Sequence, residues 1–260
     1  MKRPFKTTGI ILLTFMLSAV VGLQLYTSWP SSAVSESLNI PADTRYLVII
    51  LHGTGGRDEP TLIKVTERFT ELTKNMPHTQ VLQYIWSPWS DGALRAGIHG
   101  RKIGRELGQQ LTQFKALEDV RLIATSAGSY LLEPLCNTYK EDNGPAKIEM
   151  TFLDSMGIRG GWDYWYGYRH YGECADYAAS LFNSDDGVPG TNAPLHQAYN
   201  FDLTQAPSKK SFNGNGHLWP VQYFLDHLNA KEVTPGTRLH THNPRGAVIS
   251  STSAPANERP

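Results

Sequence analysis

Cysteine is scarce in this chain: Cys136 and Cys174 are the only two in 260 residues. Their spacing excludes a CxxC element and a multi-cysteine zinc site, and at most one bridge can form. An excess of one charge is missing too. The 24 Lys and Arg are balanced by 24 Asp and Glu, so the basic surplus that supplies most of a nucleic-acid binder's affinity is absent, and no nucleic-acid partner is expected. Charged residues make up 18% and hydrophobic ones 40%, which rules out a disordered or fibrous chain and fits one globular domain of ordinary composition. No internal repeat is present.

Charge is absent altogether from Thr7 to Ser35, and the most apolar part of that stretch, Gly9 to Leu25, follows Lys2, Arg3 and Lys6. Basic residues on one side of an apolar run mark an export signal or an amino-terminal membrane anchor rather than a core helix. Setting those three residues aside leaves 21 basic against 24 acidic, a mildly acidic remainder. Ser31-Ser32-Ala33 offers the small residues of a cleavage site, yet the run is nearly long enough to span a bilayer. A cleaved signal over residues 1–33 and a retained anchor both stay open, and either implies an exported or membrane-tethered protein. No lipobox cysteine follows, which excludes a lipoprotein anchor.

Beyond the leader, strand-like and helix-like segments alternate. Tyr46 to Leu51 is a continuous apolar run ending in His52-Gly53-Thr54-Gly55-Gly56, as a strand buried on both faces ends in a glycine loop. Further strands are expected at Gln80 to Trp86, Val120 to Thr125, Ile148 to Leu153 and, as the fifth, Ala198 to Leu203. Helices are expected at Pro60 to Lys74, Ala93 to Phe114, Ser129 to Tyr139 and Leu218 to Leu228. The alternation implies crossover connections and a mainly parallel sheet with helices on both faces, an α/β domain over residues 45–229. Gly97, Gly100, Gly104 and Gly108 form one stripe on the second of those helices and predict its close approach to the sheet. From residue 234 to 260 the chain is rich in Pro, Gly, Ser and Asn and reads as a disordered tail.

Ala124-Thr125-Ser126-Ala127-Gly128 lies between a strand and a helix, the context of a nucleophile elbow, with Ala124 where the first glycine usually stands. A serine capping the helix is the plainer alternative. His52-Gly53-Thr54-Gly55 follows the first strand, where the amides of Thr54 and Ala127 would form an oxyanion hole. A phosphate-cradling loop is discounted there because the third glycine of a dinucleotide fingerprint and a GK[ST] element are both missing. Gly214-Asn215-Gly216-His217 presents a histidine just before the last helix, in the Ser, acid, His order of an α/β-hydrolase.

Together ILHGTGG, IATSAG, FLDSMG and GHLWPVQYF resemble the lipase branch of the α/β-hydrolase superfamily, the group that includes pancreatic and lipoprotein lipases, over roughly Tyr46 to Leu228. The resemblance implies an α/β-hydrolase fold and a serine esterase or lipase that acts on ester or lipid substrates without a metal or organic cofactor. Ser126 would be its nucleophile, His217 its base and Asp154, in a Leu-Asp dipeptide at the end of a strand, its acid. Asp202 is the alternative acid, since many other α/β-hydrolases carry theirs one strand further on. Asp185 and Asp186 read as turn residues. An acyltransferase or amidase with the same triad, or a catalytically silent envelope-binding protein, are the competing functions.

An aromatic stretch holds Trp162, Tyr164, Trp165, Tyr166, Tyr168 and Tyr171. It reads equally as an acyl-gripping or membrane-touching rim and as a cap packed over the sheet. Cys136 and Cys174 either bridge this cap to the core or are buried unpaired. His240 and His242 have no third ligand nearby and read as solvated.

Overall fold

A computed structural model of the chain describes residues 5–159, 163–235 and 244–250. Lys2, Arg3, Trp162, His240 and His242 lie outside them. The elements in chain order are α1 (Phe5–Ser28), β1 (Tyr46–Leu51), α2 (Pro60–Thr73), β2 (Thr79–Tyr84), α3 (Ala93–Leu111), β3 (Asp119–Thr125), α4 (Ser129–Glu141), β4 (Lys147–Leu153), α5 (Tyr166–His170), β5 (Tyr177–Phe182), β6 (Tyr199–Asp202), α6 (Trp219–His227), α7 (Ala230–Val233) and β7 (Val248–Ser250). The strands form one seven-stranded sheet in the order β2-β1-β3-β4-β5-β6-β7, every pairing parallel. This is the α/β-hydrolase arrangement that the sequence implies.

All six residues of β1 are buried, as an all-parallel strand covered on both faces requires. Leu47, Ile49 and Leu51 pack on one face with Ile103 and Leu107 of α3 and Leu131 and Leu135 of α4. Tyr46, Val48 and Ile50 pack on the other with Leu62, Val65 and Phe69 of α2 and Trp219 and Phe224 of α6. The period-2 alternation of the strands thus divides the core into two layers.

The glycine stripe of α3 faces α4 rather than the sheet, contrary to the sequence expectation. A Cβ on Gly104 would stand 2.4 Å from the Leu131 carbonyl oxygen, and one on Gly108 would stand 2.5 Å from that of Leu135. The sheet side of α3 is taken instead by Ile103, Leu107 and Leu111, all fully buried. The helix therefore spends its small residues on its neighbour, where two backbones meet.

Two other expectations are corrected. The fifth strand is Tyr177–Phe182, a segment hidden in the sequence by Ala178, Ala179 and Ser180, which favour strands little; the segment expected fifth is the sixth strand. Within the expected tail, Val248–Ser250 pair with Asn200–Asp202 as the outer strand, and the Arg245 guanidinium donates to the carbonyls of Gly172, Ala175 and Asp176. Three short residues of β-propensity were too few to stand out against the polar composition around them.

At the amino end, α1 contains a segment, Thr8–Ser28, long and apolar enough to cross a membrane by length and composition, with none of it buried in the fold. The chain after it is strapped along α3. Lys102 Nζ donates to the Ser31 carbonyl, Glu106 accepts from Ser35 N, and Gln110 accepts from Leu38 N. Ala33, the residue before the expected cleavage point, is fully buried in the core.

Cys136 and Cys174 are bonded to each other, with their Cα atoms 6.0 Å apart. The bridge ties α4 to the chain after α5. The aromatic stretch divides between its two readings: Tyr168 and Tyr171 are core residues, with Tyr171 stacked on Phe152 at 5.4 Å, while Tyr164 and Trp165 are exposed.

Candidate active site

The site is assembled at the carboxyl ends of β1, β3, β4 and β5, where parallel α/β sheets gather side chains from several loops. At the end of β3 the chain turns into α4 through Ser126–Gly128. Ser126 has φ +50°, a left-handed conformation that a residue with a side chain rarely adopts and that must be held by its surroundings. Those surroundings are the end of β1. A Cβ on Gly128 would lie 2.8 Å from both the Leu51 and His52 carbonyl oxygens, and one on Gly53 would lie 2.9 Å from Ser126 Cβ. Only glycine at these two places lets the turn and the first loop meet so closely. Ser126 itself is half-buried, and its carbonyl accepts from Met156 N at 3.1 Å.

The loop after β1 is set by His52. Its Nε2 accepts from Trp86 N at 3.1 Å, so Nδ1 carries the proton and donates to the Gly53 carbonyl at 2.8 Å. Trp86 Nε1 returns a hydrogen bond to the His52 carbonyl at 2.7 Å. Burial holds the His52 pKa below its ordinary value, against the smaller opposing effect of the Gly53 hydrogen bond. The ring is therefore a neutral structural bracket. Thr54, exposed, and Ala127, buried, follow the two residues that touch across this junction, Gly53 and Ser126.

His217 lies in a single-turn segment whose start is capped by the Asn215 side chain, which accepts from His217 N. Its Nδ1 faces two carboxylates. Asp186 Oδ2 is 2.8 Å away in hydrogen-bond geometry, and Asp154 Oδ2 stands at 3.3 Å, an ion-pair distance without that geometry. Both acids are buried, with side-chain exposures of 0% for Asp154 and 3% for Asp186, against 13% for His217. Burial disfavours the charged imidazole, but the Asp154 and Asp186 carboxylates outweigh it and raise the His217 pKa above 6.5. Burial likewise lifts the Asp154 carboxyl to about 6, against the lowering effect of His217 and of the Asn183 N–H. Asp154 also has positive φ, +45°, so both the serine and this acid sit on strained turns at adjacent strand ends.

Asn183 joins the parts. Its N–H donates to Asp154 Oδ1 at 2.8 Å, its Nδ2 donates to the Gly216 carbonyl at 3.1 Å, and its Oδ1 accepts from Lys209 Nζ at 2.6 Å. One buried asparagine, through its main-chain N–H and its side-chain amide, therefore links the acid, the histidine loop and Lys209. Thr191 Oγ1 donates to Asp186 Oδ2 at 2.6 Å and orients that acid in turn.

Of the residues expected from sequence, Asp154 and His217 come together, and Ser126 occupies the elbow linked through Met156 to the turn that carries Asp154. Asp202 does not join them. Its Oδ1 accepts from Thr204 N at 2.9 Å and from the Thr204 hydroxyl, the role of a turn aspartate. Asp186, expected to serve a turn, instead faces His217 Nδ1 at 2.8 Å. The signal that would have found it is strand β5, four residues upstream; with that strand unrecognised, the strand-end position moved to Asp202. Asp185, by contrast, is exposed and paired with Lys209.

Asp154, Asp186 and His217 also offer ligand atoms within 4.8 Å of one another, a set that could hold a metal ion among the described residues. The two carboxylates converge on one side of the imidazole, at Nδ1. A carboxylate on Nδ1 is also the arrangement that fixes a histidine's tautomer for proton transfer at Nε2.

No protein-family model matches the chain, and no curated protein matches it by sequence. Among solved structures, the chain is similar to Aspergillus fumigatus lipase B at 10% identity and a TM-score of 0.39, over 80% of this chain and 66% of that one, so it spans just under two thirds of the lipase. It is also similar to RedJ, solved with a polyethylene glycol molecule in its active site, at 11% identity and a TM-score of 0.35, over 79% of this chain and all of the other.

Proposed function

We propose that the chain is a serine hydrolase of the carboxylesterase or lipase type. The observation that carries this reading is a histidine whose Nδ1 is held by buried carboxylates, in a fold that also holds a strained, half-buried serine at a strand-to-helix turn. In this reading Ser126 Oγ attacks the ester carbonyl while His217 Nε2 takes its proton, and the imidazolium that forms is stabilised by Asp186 and Asp154. The Thr54 and Ala127 amides receive the charge that develops on the carbonyl oxygen. His217 then protonates the leaving alcohol, and water, activated by the same ring, releases the acyl group from Ser126. The neutral His52 bracket keeps the Gly53-Thr54 backbone in place without competing for that proton.

Labelling by a fluorophosphonate probe tests the reading. Covalent capture by the wild-type chain, lost in Ser126→Ala with circular dichroism unchanged, supports it. A folded wild-type chain that neither reacts nor hydrolyses short p-nitrophenyl esters rejects it in favour of a silent binding protein. Hydrolysis that persists in Ser126→Ala and vanishes with a chelator would instead assign the Asp154, Asp186 and His217 cluster to a metal.

A further inference from the structure

A cavity of about 690 Å³ lies between α1, α3 and the chain that follows β4. Its size falls within the roughly 300–1,000 Å³ of small-molecule sites. Three walls supply its apolar lining: Val20 and Leu23 of α1, Leu94 and Ile98 of α3, and Met156 and Ile158 beyond β4. Met156 is the residue whose N–H binds the Ser126 carbonyl, and the Tyr130 ring, one turn beyond Ser126 on α4, also lines the space, its hydroxyl donating to the Ile158 carbonyl at 2.6 Å. One end of the cavity is therefore lined by Met156, which is bonded to the Ser126 turn.

The other end reaches a membrane-length helix. The Thr8–Ser28 stretch holds 21 residues and rises about 30 Å, the thickness of a hydrocarbon core. The positions of α1 that line the cavity are Val20, Leu23, Gln24, Thr27 and Ser28. They fall on one stripe of the helix, all within about 13 Å of its carboxyl end. With the basic amino terminus on the cytoplasmic side, that end belongs to the leaflet on the side of the folded domain. The strap from Ser31 to Leu38 on α3 leaves no slack between helix and domain. Exposed Leu94 and Tyr164 stand on the cavity wall itself, with exposed Trp165 next in the chain to Tyr164, and aromatic rings of this kind settle at a bilayer surface.

We propose that α1 is retained and forms one wall of an acyl-chain site, so that the ligand of this cavity is the acyl chain of a lipid drawn from the leaflet in which α1 is embedded. The proposal rests on the hydrolase reading only for what happens to the lipid afterwards. A chain entering between α1 and α3 passes from lipid along a lining that is apolar at Val20, Leu23, Leu94, Ile98, Met156 and Ile158, with Arg101, Arg159 and Asp163 as its charged members. A chain cleaved after Ala33 would lose that wall, together with the packing of Ala33 itself.

The test uses the full-length Ser126→Ala chain in phosphatidylcholine vesicles whose lipid carries a diazirine at one acyl terminus. Irradiation and peptide mapping should place the label on α3 near Leu94 and Ile98 and on the Met156–Ile158 segment as well as on α1. Ile98→Trp, which narrows the cavity beside Leu94, should cut labelling of the Met156–Ile158 segment by about tenfold. Label confined to α1, or label obtained from a diazirine fatty acid in water but not from vesicle lipid, overturns the proposal, and the wild-type cavity decides the question even if Ile98→Trp fails to fold. Because no turnover is read, lipid capture by a chain that proves unreactive to fluorophosphonate would reject the hydrolase reading alone.

Discussion

Asp186 Oδ2 lies 2.8 Å from His217 Nδ1, closer than the 3.3 Å of Asp154 Oδ2, so the imidazole has two buried acids and bonds the one that the sequence hides better. In the proposed hydrolase, two acids on one nitrogen would divide the work of a single triad member. The hydrogen bond from Nδ1 goes to Asp186, and Asp154 adds charge at ion-pair distance. Asp186→Asn should therefore lower kcat by roughly 10³ to 10⁴, as loss of a triad acid does. Asp154→Asn should cost less, on the order of 10². Asp202→Asn should stay close to wild type. Ester turnover of the three variants, each checked for folding by circular dichroism, decides; a dead, folded Asp202→Asn beside a normal Asp186→Asn would reverse the assignment.

The pH dependence of activity carries a sign. His217 acts as a base only when neutral, and its carboxylate neighbours raise its pKa above 6.5. Activity should thus rise with pH through a limb lying above 6.5. Removing the Asp186 charge by Asp186→Asn should move that limb to lower pH while lowering the plateau. A limb that stays put or shifts upward in the residual activity would contradict the charge argument.

Glu133, buried on α4, accepts hydrogen bonds from Gly172 N and Cys174 N, yet burial pushes its pKa from 4.5 to about 7. The folded chain then holds this proton more tightly than the unfolded one. The resulting stability is present in full below about pH 4.5 and is lost as pH rises to about 7, by an amount on the order of 3 kcal/mol. Denaturant midpoints across that window should fall less steeply in Glu133→Gln than in wild type.

The Cys136–Cys174 bond closes 38 residues of chain. Chain-entropy arguments assign such a loop about 4 kcal/mol. Protein recovered from an oxidising compartment should resist alkylation until reduced, and reduction should lower its melting temperature. Two freely alkylating thiols in the native protein would count against both the bridge and export.

Gly104→Ala on α3 ordinarily would stabilise a helix, by up to about 1 kcal/mol. Here the added methyl meets the Leu131 backbone at 2.4 Å, so the change should instead destabilise by about 1–3 kcal/mol. Gly187→Ala, with nothing within 4 Å, is the control that should not destabilise.

What the sequence disclosed followed the strength of each local signal. The continuous apolar run Tyr46 to Leu51 and the largely apolar run Val120 to Thr125, broken by Arg121, announced buried parallel strands, and the turn chemistry around Ser126 and His217 lay beside them. The strand Tyr177–Phe182 was obscured because alanine and serine fill buried positions that larger residues usually mark, and with it went the identity of Asp186. Partners far apart in sequence were beyond local reading altogether. Asn183 at Asp154 and Gly216, and the α3 glycines against α4 rather than the sheet, are properties of the assembled fold.

The contact of Gly104 and Gly108 with the α4 backbone bears on how the molecule can move. Helix α4 begins at Ser129, directly after the Ser126 turn, and its carbonyls at Leu131 and Leu135 are seated in the hollows those glycines leave. A helix keyed to its neighbour in this way can neither roll about its axis nor slide along it without driving a main-chain oxygen into another main chain. Rigidity is thereby concentrated behind Ser126, in the two helices that back its turn.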